Sequence, residues 1–259
     1  MGYYIYPHLT QPPNRVLKGV AWKVPWRKFP ELEHMMQEWR KVCVIPDIPS
    51  EYEEVLQSQD MRQLRWDIQK MEGLQSYYEL LETGKLMRNT HHMSRLNKVT
   101  DALDSVKGKN VIYKPRTGCW SIHHGKKYDF VEKAIQSLCR RLHIEPDMVH
   151  TPDCRGSTYM PPQGCFEPHT NRDHHSGWRM YFHYLPKGGN SYFNYVHPYD
   201  GTLRQIKDEN DRFNVFRLRA QPNPLLWHGI WSDDAHRFSL GVWCPSELAH
   251  YLIAEGEIV

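Results

Sequence analysis

The spacing of apolar positions changes about halfway along the chain. Between residues 31 and 142, apolar side chains recur every three to four positions, which predicts helices. The predicted helices are ELEHMMQEWRKV (31–42), a long one over 51–81 and YDFVEKAIQSLCRRL (128–142). The breaker IPDIPS separates the first two, and Ser50 with Glu53 can form a capping box at the start of the second. KGKNVIYKPRTGCWSI, before the last helix, predicts a short strand and turns.

After residue 150 the pattern becomes one of short alternating segments separated by Gly and Pro, which predicts strands. The predicted strands lie at about 155–160, 164–169, 177–185, 191–196, 213–218, 224–231 and 236–243. Many short strands with turns between them are typical of a sandwich, jelly roll or small barrel. We therefore predict an α+β protein in which a helical N-terminal half buttresses a C-terminal double-stranded β-helix, a jelly-roll or cupin-like core.

Three parts of the chain differ in texture. Residues 1–30 are rich in Pro and aromatic residues and predict an extended arm that packs on the body. Residues 31–150 form the mainly helical buttress, and residues 151–259 form the β-helix core. For 259 residues we expect these parts to fold as one cooperative unit.

Composition narrows the class of protein. The 9 Trp, 15 Tyr and 8 Phe make up 12% of the chain, more than a disordered protein carries. No apolar run approaches the ~20 residues that cross a bilayer, and the first residues lack the features of a signal peptide, so we expect a cytoplasmic protein with no membrane partner. A net charge of +3 does not indicate nucleic-acid binding. The six cysteines contain no C-x-x-C pair and are expected to be reduced thiols.

The segment LLWHGIWSDDAHRFSLGVWC (225–244) is the first that contains candidate binding or catalytic residues. We interpret it as a hairpin closed by the turn 232–235, with Trp231 paired to His236. Strand alternation then gives one face a mixed character and leaves the other apolar. The mixed face carries His228, Ile230, Arg237, Ser239, Gly241 and Trp243, and the apolar face carries Phe238, Leu240 and Val242.

An inward arginine requires an anion, because an unpaired charge inside a β-core is costly. The planar guanidinium of Arg237 with the neighbouring hydroxyl of Ser239 suits a carboxylate ligand. The structural alternative is an ion pair of Arg237 with Asp233 or Asp234 across the turn.

A second segment, STYMPPQGCFEPHTNRDHHSGWRMYFHYL (157–185), places His169 at the end of a strand. Asn171 falls on the same side, ~6.6 Å further along an extended chain. A divalent iron site of the two-histidine, one-carboxylate type needs two imidazoles and one oxygen ligand, with open positions left over. His169 and His228 are the candidate pair of imidazoles.

These motifs, in this order, resemble the Fe(II)/2-oxoglutarate-dependent oxygenases, with some likeness to the aspartyl/asparaginyl and prolyl hydroxylase branches. The resemblance covers roughly residues 155–245 and rests on His-Thr-Asn (169–171), Trp-Arg-Met-Tyr-Phe-His-Tyr-Leu (178–185), Trp-His-Gly (227–229) and Arg-Phe-Ser (237–239). It implies that His169 and His228 bind iron and that Arg237 and Ser239 hold the far carboxylate of 2-oxoglutarate. Tyr159 matches a position that often helps to hold this cosubstrate, and O2 is the further reactant.

One position departs from the family pattern, which is His-x-Asp or His-x-Glu, because this chain has Asn171. Asp173 can serve instead only if residues 172–177 fold back, since a straight strand would carry it ~13 Å from His169. In a third arrangement, iron is held by two histidines and 2-oxoglutarate alone. The resembled superfamily contains a hydroxylase branch without the acid, and halogenases that leave the position to chloride.

The resemblance implies a dioxygenase or hydroxylase that oxidises a C–H bond of a small-molecule or peptidyl substrate while 2-oxoglutarate is decarboxylated to succinate. Arg179 or Tyr181 could line the substrate mouth. The rival hypothesis is a catalytically degenerate protein of the same fold with a structural role in a larger assembly, or in a homo-oligomer, formed through the N-terminal helices. A metal-binding cupin without 2-oxoglutarate is a third interpretation, which leaves Arg237 unexplained.

Overall fold

The computed structural model describes residues 20–46, 111–114, 119–123, 129–145, 156–169, 177–218 and 226–259. The predicted helix over 51–81 lies outside the described residues, as do Asn171 and Asp173. No helix in the described ranges is both long enough and apolar enough to span a membrane.

The elements follow the chain in a simple order, beginning with β1 (Ala21–Pro25), a 3₁₀ turn (Trp26–Lys28) and α1 (Pro30–Val42). A strand pair and a second helix come next: β2 (Val111–Lys114), β3 (Cys119–His123) and α2 (Asp129–Arg141). Eight strands follow: β4 (Gly156–Met160), β5 (Cys165–His169), β6 (Gly177–Tyr184), β7 (Ser191–Val196), β8 (Leu203–Lys207), β9 (Arg212–Leu218), β10 (Trp227–Ser232) and β11 (Arg237–Cys244). The chain closes with α3 (Ser246–Ala254) and β12 (Glu257–Ile258).

The strands form two antiparallel sheets. The large sheet has the order β12-β1-β9-β6-β11-β4-β3-β2, and the small sheet has the order β5-β10-β7-β8. The eight strands β4 to β11 are shared between the sheets so that β4, β6, β9 and β11 face β5, β7, β8 and β10. This is the jelly-roll arrangement, in which two four-stranded layers enclose a core. The predicted double-stranded β-helix and the α+β class are confirmed.

Two apolar clusters lie on the two faces of the large sheet. The interior cluster, between the sheets, consists of Val20, Ala21, Met160, Phe193, Tyr195, Ile206, Phe216, Leu226 and Ile230. The outer cluster packs the helices against the other face of the large sheet, and it contains the predicted apolar set Phe238, Leu240 and Val242. The described helices α1, α2 and α3 therefore cover the large sheet and leave the barrel interior to the strands.

Helix α1 shows how the local sequence produces this packing. Pro30 occupies the first turn, where a missing N–H costs nothing, and the first turn is acidic while the last is basic, as the helix dipole favours. Apolar residues at spacings of three and four then form one buried stripe. The stripe consists of Leu32, Met35, Met36 and Trp39.

The predicted hairpin over 225–244 is wrong. Strand β10 pairs with β5 and β7 in the small sheet, whereas β11 pairs with β4 and β6 in the large one, so the turn crosses between sheets. Backbone hydrogen bonds from Ser232 to Gly164 and from Asp233 to Asn190 tie this crossing to neighbouring loops. The alternation of side chains between the two faces was nevertheless predicted correctly. It has a period of two residues within each strand, whichever strands pair.

Three observed elements, β8, β1 and α3, were not predicted from the sequence. Strand β8 buries only Ile206 of its five residues, so it has no apolar alternation to detect. Strand β1 lies in the segment expected to be an arm, and it pairs with β9 and β12 in the large sheet. Helix α3 follows the last predicted strand and packs on the outer face of the large sheet.

Candidate functional site

The two candidate iron ligands occupy paired positions on neighbouring strands. His169 ends β5 and His228 lies near the start of β10, and the two residues are register partners in the antiparallel pair. Residues paired in this way have Cα atoms about 4.5–5.5 Å apart. The register shifts between His228 and Ile230, so a bulge follows the histidine. The fold thus brings together two positions that are 59 residues apart in sequence.

The environment of His228 suits a metal-binding imidazole. The residue is 1% exposed, and its ring centroid lies 5.4 Å from that of Phe193 and 5.9 Å from that of Phe216. Its Nδ1 is 3.0 Å from the carbonyl oxygen of Leu226, and since a carbonyl only accepts, Nδ1 carries the proton. The lone pair is therefore on Nε2. A second-sphere carbonyl on the other ring nitrogen is the usual arrangement of histidines that bind metals.

The third ligand position falls in the segment 170–176, outside the described residues. Both candidates, Asn171 and Asp173, belong to this segment. Among the residues that the structure does describe, no group of three His, Cys, Asp or Glu side chains is placed to hold a metal ion. The choice between Asn171, Asp173 and a site without a protein oxygen ligand stays a prediction.

Arg237 faces the interior, and the anion it contacts belongs to the chain itself. It is 2% exposed, and its Nε donates to Oδ2 of Asp208 at 2.6 Å. Asp208 directly follows β8 in the small sheet, so this ion pair joins the two sheets. The alternative pairing with Asp233 or Asp234 is wrong: Asp233 accepts from the indole of Trp231, and Asp234 accepts from the backbone N–H of Asn190.

Asp208 is the centre of a buried polar cluster. Burial alone would raise the pKa of Asp208, but the charge of Arg237 and the hydrogen bonds from Arg237 and Ser191 lower it to about 2. The Ser191 hydroxyl donates to Asp208 at 2.6 Å. His183 accepts the backbone N–H of Glu209 at Nε2, which leaves the Nδ1 proton facing Asp208 at 3.4 Å, an electrostatic contact too long for a strong hydrogen bond.

The other two predicted cosubstrate residues lie on opposite faces of the large sheet. Ser239 is on the inner face, and its hydroxyl pairs with that of Thr158 at 2.5 Å. Tyr159 belongs to the outer cluster: its hydroxyl pairs with Nδ1 of His236 at 2.7 Å and its ring packs on Phe238. The predicted role of Tyr159 in holding 2-oxoglutarate is therefore corrected. In β4 it is Thr158 that faces inward, because successive residues alternate between faces.

A second inward guanidinium belongs to Arg179, which the sequence suggested only as a lining of the substrate mouth. It is 6% exposed and lies over the ring of Trp243 at 4.3 Å. Its register partners are Trp243 in β11 and Phe216 in β9. The sequence pattern places Arg179 beside aromatic residues, but only the structure shows that this guanidinium forms no ion pair with an acidic side chain in the described part of the chain.

The sheet topology defines a double-stranded β-helix protein. Solved structures with low overall similarity to the chain are the following. The chain is 15% identical to a prolyl-4-hydroxylase from Pseudomonas putida, with a TM-score of 0.37 over 60% of this chain and 86% of that one. It is 14% identical to a prolyl hydroxylase from Trichoplax adhaerens, solved with a peptide fragment of hypoxia inducible factor, with a TM-score of 0.35 over 64% and 84%.

A third similar structure is the ribosomal oxygenase YcfD from Escherichia coli, at 14% identity and a TM-score of 0.27 over 49% of this chain and 32% of that one. No protein-family model and no curated protein matches the chain. The solved structures named above are thus two hydroxylases and one oxygenase. Since one fold hosts many functions, activity has to be argued from the site.

The buried histidine of the polar cluster predicts an acid sensitivity. Burial lowers the pKa of His183, so between pH 7 and 5 the unfolded chain binds protons that the folded chain does not. The contribution of neutral His183 is present above the ordinary imidazole pKa and is lost as the pH falls below it. We expect the free energy of unfolding to fall by up to about 1.4 kcal/mol per pH unit in this range.

The measurement is urea unfolding at pH 7, 6 and 5. His183→Gln is expected to flatten the dependence, whereas His34→Gln, at an exposed position of α1, is expected to keep it. If His183→Gln and the wild type lose stability in parallel on acidification, the cause lies elsewhere.

Proposed function

We propose that this chain is an Fe(II)- and 2-oxoglutarate-dependent dioxygenase that hydroxylates a C–H bond of a small-molecule or peptidyl substrate. The observation that carries the proposal is the register pairing of His169 with His228 at one end of the β-helix. The hydrogen bond from His228 Nδ1 to Leu226 adds to it, because it presents Nε2 in the form that binds a divalent metal.

Each residue of the candidate site would have its own role in binding iron and 2-oxoglutarate. His169 and His228 would hold the iron, with Asp173 or Asn171 as the candidate oxygen ligand. When bound, iron and 2-oxoglutarate would supply the oxidising chemistry, in which 2-oxoglutarate is decarboxylated to succinate and CO2 and the two atoms of O2 end in succinate and in the hydroxylated product. The stacked rings of Phe193 and Phe216 both pack beside the His228 ring and help to fix its orientation.

The interior face offers two guanidiniums for the far carboxylate of 2-oxoglutarate. Arg237, beside Ser239, is the one that the family resemblance implies, and Arg179 is the other. A guanidinium binds a carboxylate in a bidentate manner and fixes its direction, so either residue would orient the cosubstrate without taking part in bond breaking.

The ion pair of Arg237 with Asp208 favours a second candidate function. A guanidinium that is already neutralised by a carboxylate of the same chain does not require a ligand. A degenerate protein of this fold, with a binding role in a larger assembly, would keep such a pair for stability.

One assay separates the two functions. Purified protein is incubated with Fe(II), 2-oxoglutarate, air and ascorbate, which supplies the two electrons that the missing substrate would give, and succinate is measured with and without a chelator. We expect succinate formation that depends on iron, together with binding of 2-oxoglutarate to the Mn(II)-loaded protein. A protein that binds neither Mn(II) nor 2-oxoglutarate, and forms no succinate, supports the binding role.

A further inference from the structure

The two inward guanidiniums lie at opposite ends of the β-helix. Arg237 donates to Asp208, which also accepts the hydroxyl of Ser191, and Ser191 is the register partner of Ser232 in β10. Ser232 is four residues after His228, which in a strand is about 13 Å. Arg179 is level with the histidine, because its register partner Phe216 contacts the ring of His228 at 5.9 Å.

An apolar layer lies between these ends. Phe193 is the register partner of Ile230 on one side and of Ile206 on the other, and all three residues belong to the buried interior cluster. The carbon chain of 2-oxoglutarate has four C–C bonds of about 1.5 Å each and spans at most about 6 Å. Arg179 lies level with the histidine, whereas the guanidinium of Arg237 is held at the Ser232 end by Asp208.

Arg237 and Arg179 also differ in their charged partners. Arg237 is neutralised by Asp208, whose pKa is held low enough to keep it ionised. Arg179 makes no ion pair with any described residue, and its buried Nε has no hydrogen-bond partner. Its one polar contact among the described residues is Nη1 to the hydroxyl of Tyr181 at 3.4 Å. A buried cation of this kind is stabilised by an anion from outside the chain.

The surroundings of Arg179 form a built site. The two rings that contact it, Trp243 and Tyr181, each lie against a glycine. A Cβ at Gly177 would be 3.0 Å from Cζ3 of Trp243, and a Cβ at Gly241 would be 3.1 Å from Cζ of Tyr181. A larger residue at Gly177 or Gly241 would displace the ring of Trp243 or Tyr181. The two glycines therefore leave room for the rings that contact Arg179.

We propose that Arg179, rather than Arg237, receives the far carboxylate of 2-oxoglutarate. This inference rests on the proposed function. The Nε atom without a partner and the adjacent Nη together form the edge with which a guanidinium binds a carboxylate in a bidentate manner. The Arg237–Asp208 pair is then a structural link between the two sheets.

The test is equilibrium dialysis of radiolabelled 2-oxoglutarate against the Mn(II)-loaded full-length protein. Arg179→Gln is expected to weaken binding roughly tenfold or more, because it removes a charge-assisted bidentate contact. The matched control is Arg217→Gln, which removes a guanidinium that lies over Trp178 on the outer face at 5.8 Å and should leave the Kd unchanged. The double variant Asp208→Asn with Arg237→Gln neutralises the other pair as a unit and is expected to keep binding.

The outcomes distinguish two failures. If Arg179→Gln binds like the wild type and the double variant loses binding, Arg237 holds the carboxylate and the inference is overturned. If the wild type itself binds no 2-oxoglutarate, both the proposed function and the inference about Arg179 are overturned. If Arg179→Gln does not fold, Arg179→Lys replaces it: a lysine keeps the charge but lacks the bidentate edge, so an unchanged Kd also overturns the inference.

Discussion

Replacing His228 with alanine is expected to abolish iron-dependent succinate formation and to weaken Mn(II) binding about 100-fold or more. Loss of a second-sphere partner alone typically lowers metal affinity 10–100-fold, and His228 is a proposed ligand itself. The ring is buried beside the stacked rings of Phe193 and Phe216, so its loss removes a ligand that the surrounding apolar side chains cannot supply. Succinate release and Mn(II) affinity, measured on the same preparation, check this result.

Two controls keep this prediction separate from a loss of folding. His228→Gln retains a side chain of similar volume, and its thermal unfolding is expected to stay close to that of the wild type while metal binding is lost. His250→Ala removes a histidine that packs on Trp178 on the outer face, with ring centroids 5.5 Å apart, and should not change turnover. Full succinate formation by a folded His228→Ala protein would remove His228 from the metal site.

Replacing Asp208 with alanine is expected to destabilise the protein by about 3–5 kcal/mol, the usual loss when one partner of a buried ion pair is removed. Arg237, which is 2% exposed, would be left with a buried charge, and Ser191 would lose its acceptor. The pKa of Asp208 is about 2, below the ordinary value of 3.8, so the contribution is present above pH 4 and is lost as the pH falls through 2. Urea unfolding at pH 7 measures the change.

The paired variant Asp208→Asn with Arg237→Gln separates charge from packing. Removing both charges together leaves neither uncompensated, so this variant is expected to recover most of the stability that Asp208→Ala loses. A loss below about 1 kcal/mol in Asp208→Ala would contradict a role for the pair in joining the sheets. Glu38→Ala, in an exposed ion pair with Lys41 on α1, is the comparison expected to have little effect.

The segment over 225–244 shows which part of the fold the sequence predicts. Its alternation assigned Arg237 and Ser239 to the interior and Phe238 to the helix-covered face, and the structure confirms this. Its pairing was wrong, because β10 and β11 lie in different sheets. Alternation is a property of each strand alone, whereas the choice of partner strand depends on all the others that compete for the same edge.

In the candidate site, too, local features could be predicted from the sequence and the contacts between distant strands could not. The sequence by itself determined the positions of the strands with a clear alternation, their inward faces and the identity of His169 and His228 as candidate ligands, since these follow from local periodicity and residue chemistry. Only the tertiary structure decided that His169 and His228 share a register position, that Asp208 neutralises Arg237 from the opposite sheet, that Tyr159 faces the helices, and that Arg179 forms no ion pair with any of the described residues. The physical reason is that a side chain's partner depends on which groups long-range strand pairing leaves beside it, and no local pattern contains that information.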